Sequence, residues 1–204
     1  MNIEIIERKG IGHQDTIADR LSENLSKSLL KEYKSKKHYN VDKTMVCAGD
    51  VKKNKFIKPI NIVFAGQYTK LKNINSILED VVKKVLFFEI KKGLKYKIHN
   101  FLNEGSSDLN NIFLNNKSND TSFSVGYLET KNEKLVNSLG KYLDNLHKTD
   151  RSVGTDNKIM FIDDSNKTIY IALAFLNVFK NKEDYFKHKQ EITEYLKKKY
   201  KYIK

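Results

Sequence analysis

Cysteine, proline and arginine are nearly missing from this chain of 204 residues, and tryptophan is missing altogether. The single cysteine, Cys47, excludes an internal disulfide framework, and its place in the apolar segment TMVCAG predicts a buried, inert thiol. The single proline, Pro59, stands at the start of an expected strand, where its missing N–H is tolerated. Long apolar runs are missing too. The longest, IYIALAFL and VLFF, are far too short to span a bilayer, so no membrane partner is expected. The first residues have no basic-then-apolar region that would direct secretion, and Glu4 and Glu7 interrupt them early. With the lone thiol, this points to a cytoplasmic chain.

What is present is enough for a packed core: 39% of the residues are apolar and 11% aromatic, which argues for folding over disorder. The net charge of +13 comes almost wholly from lysine, since only Arg8, Arg20 and Arg151 are arginines. Such a balance draws anions, whether nucleic acid, polyphosphate or acidic lipid. A compositional bias toward lysine and asparagine explains it without function. The lysines are spread along the chain instead of forming one stripe, which disfavours nucleic acid as a partner. The tail YLKKKYKYIK reads either as a basic patch interleaved with aromatics or as a frayed helix end whose charges suit the helix dipole; the second is favoured.

Periodicity sets the expected elements. NIEIIER alternates as a strand, and Ile17, Leu21, Leu25, Leu29 and Tyr33 recur every four residues as one helix face from Asp15 to about Lys34. HYNVDKTMVCAG, the hairpin DVKKNKFIKP and INIVFAGQY read as strands. INSILEDVVKKVLFFEIKKG reads as one helix closed by Gly93. KYKIHNFL reads as a strand, NEGSSD as a loop and LNNIFLN as a short helix. After the loop-like NNKSND come a strand, TSFSVGYL, and a helix with Leu135, Leu139, Tyr142, Leu143 and Leu146 on one face. A hairpin turning at DDSN follows, then a last helix from about Lys182 to Lys199. The expected class is α+β: two domains of mixed or antiparallel sheet, each with helices on one face, residues 1–117 and 118–204, with strands free to exchange between the sheets.

The segment KGIGHQD carries the densest chemistry. Paired glycines let a backbone approach a bound group, and the N-terminus of the following helix offers free N–H groups and a positive dipole, a place for phosphate. Asp15 and Asp19 lie four apart on one face, and Asp15 stands where a carboxylate either caps the helix or holds a divalent ion. His13, just outside the helix, is placed to donate to a leaving oxygen. His38, His99, His147 and His188 have no zinc-ligand spacing with a cysteine, and there is neither a Walker loop nor a Gly-X-Ser-X-Gly elbow.

Four segments, ERKGIGHQDTIAD, EGSSDL, NDTSFSVGY and VGTDNKIM, stand in the order and spacing of the archaeal-type methionine adenosyltransferases (S-adenosylmethionine synthetases), and the chain resembles that family from about Ile5 onward. The resemblance implies attack of a methionine sulfur on C5′ of ATP, expulsion of triphosphate and its hydrolysis to phosphate and pyrophosphate. A leaving group of about four negative charges needs strong electrostatic help, which such enzymes supply with Mg²⁺, lysines and a placed histidine, while K⁺ supports the site. The implied catalytic residues are His13, at the departing oxygen, and Asp15, which would bind Mg²⁺. The implied ATP contacts are Lys9, then Asn103, Glu104, Gly105, Ser106, Ser107 and Asp108 in the nucleotide loop, and Asp156 (adenosine) and Lys158 (phosphate) in TDNK. Asp108 would bind a ribose hydroxyl or the methionine ammonium. Asp42 and Lys43 are candidates near the phosphates, and equally readable as charges on a strand edge. Without the resemblance, NEGSSD is an ordinary turn and TDNK an ordinary hairpin start.

This chain departs from the family pattern at three places. Gln14 stands where proline is usual, Glu104 where glutamine is usual, and an arginine a few residues earlier in the nucleotide loop is absent. Family members also run to about twice this length, with a third similar domain. The expectation is therefore a methionine adenosyltransferase-related subunit that works as a homo- or hetero-oligomer, with another chain supplying the missing half-site. The alternative is a non-catalytic paralogue binding ATP or S-adenosylmethionine as a regulatory module, which Gln14 and Glu104 favour.

Overall fold

The first strand pairs with one from the far end of the chain. In a computed structural model, which describes residues 3–32, 43–52, 55–68, 71–91, 93–104, 128–164 and 166–203, β1 (Glu4–Lys9) runs antiparallel to β7 (Val153–Asp163). Lys9 lies opposite Lys158 and Glu4 opposite Asp163. β7 pairs on its other side with β8 (Thr168–Phe175), giving the order β1-β7-β8. The turn between β7 and β8 is closed by the Asp164 carboxylate, which accepts from the Asn166 N–H at 2.8 Å.

Contacts group Met1–Thr16 with Gly126–Lys204 as one compact unit and Ile17–Val125 as another. From the sequence a linear cut at 117/118 was expected, with exchanged strands allowed; in the contact division β1 lies in the sheet of the C-terminal part. The NNKSND junction, the LNNIFLN helix and the TSFSVGY part of the next strand lie outside the described residues.

In the first unit, α4 (Lys131–Thr149) and α5 (Lys182–Lys199) cover one face of the sheet. Period two sends Ile6, Ile159, Phe161, Ile169 and Ile171 to that face, where they meet Val136, Leu139, Leu143 and Leu196. The opposite face leaves Ile5 and Tyr170 exposed. α4 starts with a reciprocal capping box: Thr130 Oγ1 accepts from the Glu133 N–H at 3.1 Å, and Glu133 Oε2 accepts from the Thr130 N–H at 2.7 Å. The C-terminal segment does not fray as expected. Tyr200 is buried, the Ile169 N–H donates to the Tyr202 carbonyl at 2.8 Å, and Ile203 bridges Ile169 as a short parallel addition to the sheet. Lys199 lies over the Tyr142 ring, 4.3 Å from its centre.

In the second unit, a mixed sheet of order β2-β5-β6 joins β2 (Lys43–Cys47), β5 (Ile60–Gln67) and β6 (Tyr96–Asn103), with β2 antiparallel and β6 parallel to β5. β3 (Asp50–Lys52) and β4 (Lys55–Lys58) form the lysine-rich hairpin. Leu21, Leu25 and Leu29 of α1 (Gln14–Glu32) pack with Ile62, Phe64 and Leu102 of the sheet and with the apolar side of α2 (Ile74–Val85). The expected single helix over INSILEDVVKKVLFFEIKKG is instead two, α2 and α3 (Phe87–Lys91), broken at Leu86. Leu86 continues the buried face of α2 beside Val82 and Val85, its N–H still donating to the Val82 carbonyl at 2.9 Å, and Phe87 is exposed. Gly93 does follow with φ +92°, the left-handed geometry that ends helices. Cys47 is half-buried, not enclosed as expected, because it shares the uncovered side of β2 with Lys43 and Met45. Among the described residues no helix is long and apolar enough to cross a membrane.

Thr130→Ala removes both an N-cap acceptor and a bond from Thr130 Oγ1 to Glu4 Oε1 (2.9 Å). We expect a loss of about 1–2 kcal/mol, measured by urea unfolding. Leu139→Ala, in the core beneath, is expected to lose about 2–5 kcal/mol.

Candidate functional site

The turn between β1 and α1 continues the β1–β7 ladder before the helix begins. The Gly10 N–H donates to the Asn157 carbonyl at 2.7 Å, the Gly12 N–H to the Thr155 carbonyl at 3.0 Å, and the His13 N–H back to Gly10 at 3.1 Å. Both glycines are needed for this. A Cβ on Gly10 would stand 2.5 Å from Asn157 Cγ, and one on Gly12 would stand 2.8 Å from the Thr155 carbonyl carbon. The close approach expected toward a bound group is made toward β7 itself. β7 is irregular there: Val153 faces Phe175 and Asn157 faces Leu173, so residues 154–156 bulge and Asp156 is turned out, exposed.

The expected capping role of Asp15 belongs to histidine instead. The Asp15 N–H donates to His13 Nδ1 at 3.2 Å, so the imidazole caps α1 and its neutral form carries the proton on Nε2. Gln14 is the first residue of α1, a position where proline is also accommodated because that N–H has no partner inside the helix. The Asp15 carboxylate is thereby left to Lys9, whose ammonium lies 2.5 Å from Oδ2, with His13 Nδ1 3.9 Å from the same oxygen. Lys9 also reaches Glu7 Oε1 at 3.3 Å, and Glu7 Oε2 meets Lys158 at 3.2 Å across the strand pair. Asp15, Lys9, Glu7 and Lys158 thus form one chain of alternating charge beside the His13 ring.

These contacts bias the charged forms. Lys9 holds the Asp15 carboxyl below its ordinary range, and Lys158, then Lys9, do the same for Glu7. Asp15, then Glu7, raise the Lys9 ammonium. All three side chains face solvent, so the effect on stability is small.

Behind the turn lies a buried polar cluster. Asp144 of α4 accepts from Arg8 Nη2 at 2.7 Å through Oδ2, and through Oδ1 from the Ile11 N–H at 3.2 Å and from Asn157 Nδ2 at 3.1 Å. Gly140, one turn earlier on α4, leaves the space that the Arg8 guanidinium fills. Arg8 Nη1 and Asn157 Oδ1 are buried with no hydrogen-bond partner among the described residues.

Lys9, His13, Asp15, Asp156 and Lys158 therefore come together in one unit. Lys43 and Asn103 lie in the other unit, on the uncovered face of its sheet, opposite Ala65 and Gln67 respectively. Glu104 follows β6 and is exposed. Asp42, Gly105, Ser106, Ser107 and Asp108 lie outside the described residues. Sequence reasoning missed Glu7, although its spacing of two from Lys9 puts both on one side of a strand. It also missed Asp144, whose signal was an acid four residues after a glycine on an otherwise apolar helix stripe.

Among the described residues no three His, Cys, Asp or Glu side chains gather as a metal cage. Asp15 stands as a single carboxylate, 49% exposed, with the Lys9 ammonium as its ion-pair partner.

Two outcomes follow from this geometry. Gly12→Ala is expected to cost about 1–3 kcal/mol in urea unfolding, with Thr155→Ala restoring only part, since a backbone carbon of Thr155 also stands in the way. Because Asp15 and Glu7 titrate below their ordinary values, their contribution is complete above that range and is lost as pH falls through the lowered values. Denaturant midpoints across pH should therefore fall off below pH ~4, and the fall should be shallower in Lys9→Met.

The sequence pattern of the S-adenosylmethionine synthetase (AdoMet synthetase) family matches residues 1–204. Similar proteins include the S-adenosylmethionine synthases of Saccharolobus solfataricus (34% identical, covering 87% of this chain and 51% of the relative) and of Saccharolobus islandicus strain L.S.2.15 (34%, 87% and 51%). That of Methanoregula boonei is also 34% identical, covering 86% of this chain and 50% of its own length. The chain spans about half the length of the curated relatives it matches. On the family match and these identities, the chain belongs to the S-adenosylmethionine synthetase family.

Proposed function

We propose that the β1–α1 turn binds the triphosphate of ATP and that the chain takes part in forming S-adenosylmethionine from ATP and L-methionine. One observation carries this reading: the turn presents the His13 imidazole, the Lys9 and Lys158 ammonium groups and the Asp15 carboxylate together at the start of a helix. In the reaction a methionine sulfur bonds to C5′ while the C5′–O bond breaks, and the electron pair leaves on the triphosphate. Charge grows on that oxygen as the bond breaks, so groups placed around it lower the barrier. His13 serves as the donor, since its Nδ1 is occupied by the Asp15 N–H and the proton of the neutral ring lies on Nε2. Lys9 and Lys158 take the phosphate oxygens in exchange for Asp15 and Glu7. Asp15 holds a Mg²⁺ ion, which when bound neutralises phosphate charge. K⁺ belongs to the same reading, as does Asp156 as an adenosine contact turned out by the bulge.

The described residues of this unit supply one side of such a site. The family resemblance alone adds Asp42, Lys43, Asn103 and residues 104–108 as adenosine or phosphate contacts, and a further chain supplies the remainder in this reading. S-adenosylmethionine and triphosphate formation should be assayed with this chain alone and mixed with a polypeptide matching the other half of a relative. Turnover only in the mixture is the expected result; turnover by this chain alone removes the need for a partner, and none in either ends the catalytic reading. Binding of ATP with Mg²⁺ but no turnover would mark a regulatory module. In an active mixture, His13→Ala should lower kcat by about 10²–10⁴-fold and leave nucleotide affinity within a few-fold.

A further inference from the structure

We infer that Asp144, which touches neither nucleotide nor metal in the reading above, is the positioning residue of the catalytic turn. The inference rests on that reading of the turn as a polyphosphate site. Four successive amides of the turn each have a partner: Gly10 to Asn157, Ile11 to Asp144, Gly12 to Thr155 and His13 to Gly10. Three of those acceptors are backbone carbonyls. Asp144 is the one side chain among them, so it is the one point at which a substitution releases the turn while leaving every backbone acceptor in place.

The surrounding arrangement is organised for position. The Asp144 side chain is 10% exposed, and one carboxylate joins β1 through Arg8, β7 through Asn157 and the turn through Ile11. Two polar atoms around it, Arg8 Nη1 and Asn157 Oδ1, stay buried and have no hydrogen-bond partner among the described residues. Gly140 occupies a helix interior, where glycine is disfavoured, to admit the guanidinium. Apolar side chains filling the same space commonly give equal or greater stability than a buried ion pair. What an apolar filling cannot supply is an acceptor for the Ile11 N–H, and with it a fixed level for Gly10 and Gly12 against β7. His13 follows from there, tied to Gly10 by its own N–H and to α1 by Nδ1.

Asp144→Asn keeps the shape of the side chain but sets an amide donor against Arg8 or against the Ile11 N–H, since one oxygen cannot serve both sides. The isotope-labelled chain should be compared with Asp144→Asn, Arg8→Lys and Leu139→Val, the last a core variant that destabilises without touching the turn. Amide resonances of Ile11, Gly12 and His13 are read by NMR, and affinity for Mg²⁺ with tripolyphosphate by calorimetry, well below each thermal midpoint. For Asp144→Asn we expect those three amides to move and affinity to fall about tenfold or more, while Leu139→Val lowers only the midpoint. Arg8→Lys should move the same amides less, and it stands in if Asp144→Asn does not fold. The inference is overturned if the folded variant leaves the amides and affinity unchanged, or if Leu139→Val alters them equally. Should the parent chain bind no tripolyphosphate either alone or mixed with a polypeptide matching the other half of a relative, the polyphosphate reading fails and the amide shifts alone decide the role of Asp144.

Discussion

Hydrogen bonds between β1 and β7 hold two segments from opposite ends of the chain in fixed register, and the candidate site is a consequence of that ladder. Lys9 faces Lys158 because the strands are aligned there, and Glu7 comes to lie between the two ammonium groups because side chains on one face of a strand recur every second residue. The ladder outlasts the strand: Gly10 and Gly12 still donate to β7 after β1 has ended. The glycines thus serve the approach of one backbone to another. His13 and Asp15 start the helix from a point that β7 has already set.

The charges at the turn balance. Two carboxylates and two ammonium groups alternate, so the basic excess of the chain does not reside there. Exposed pairs of this kind add little to stability. In the proposed function their value is geometric, since each acid holds a lysine that a phosphate oxygen would take in exchange. The buried pair of Arg8 and Asp144 differs in kind. Largely screened from water and shared between two strands and a turn, it ties α4 to the turn that carries His13 and Asp15.

Much of the fold was legible in local pattern. Alternation in NIEIIER and four-residue spacing from Ile17 to Leu29 report burial on one side, and burial on one side is what makes a strand or a helix at those places. The break at Leu86 was hidden because a continuous apolar run has no period to interpret. The docked C-terminal segment was hidden because its partner, Ile169, is distant in sequence. For the candidate site, a family resemblance named Lys9, His13, Asp15 and Lys158, and the fold brings them together. It could not name Glu7 or Asp144, whose roles depend on register and on which helix face meets β1. Nor could it tell which side chain caps α1, because an acid and an imidazole both suit that position.

A strand that waits for a partner far along the chain has a consequence for biosynthesis. β1 leaves the ribosome well before β7, its one partner strand among the described residues. Through that interval Ile5 and Ile6 have an unsatisfied edge and no sheet, and closing so long a loop is slow. All strands of the Ile17–Val125 unit lie in one uninterrupted stretch, so that unit can assemble while β1 waits. The turn that carries His13 and Asp15 therefore acquires its shape only once β7 has been made.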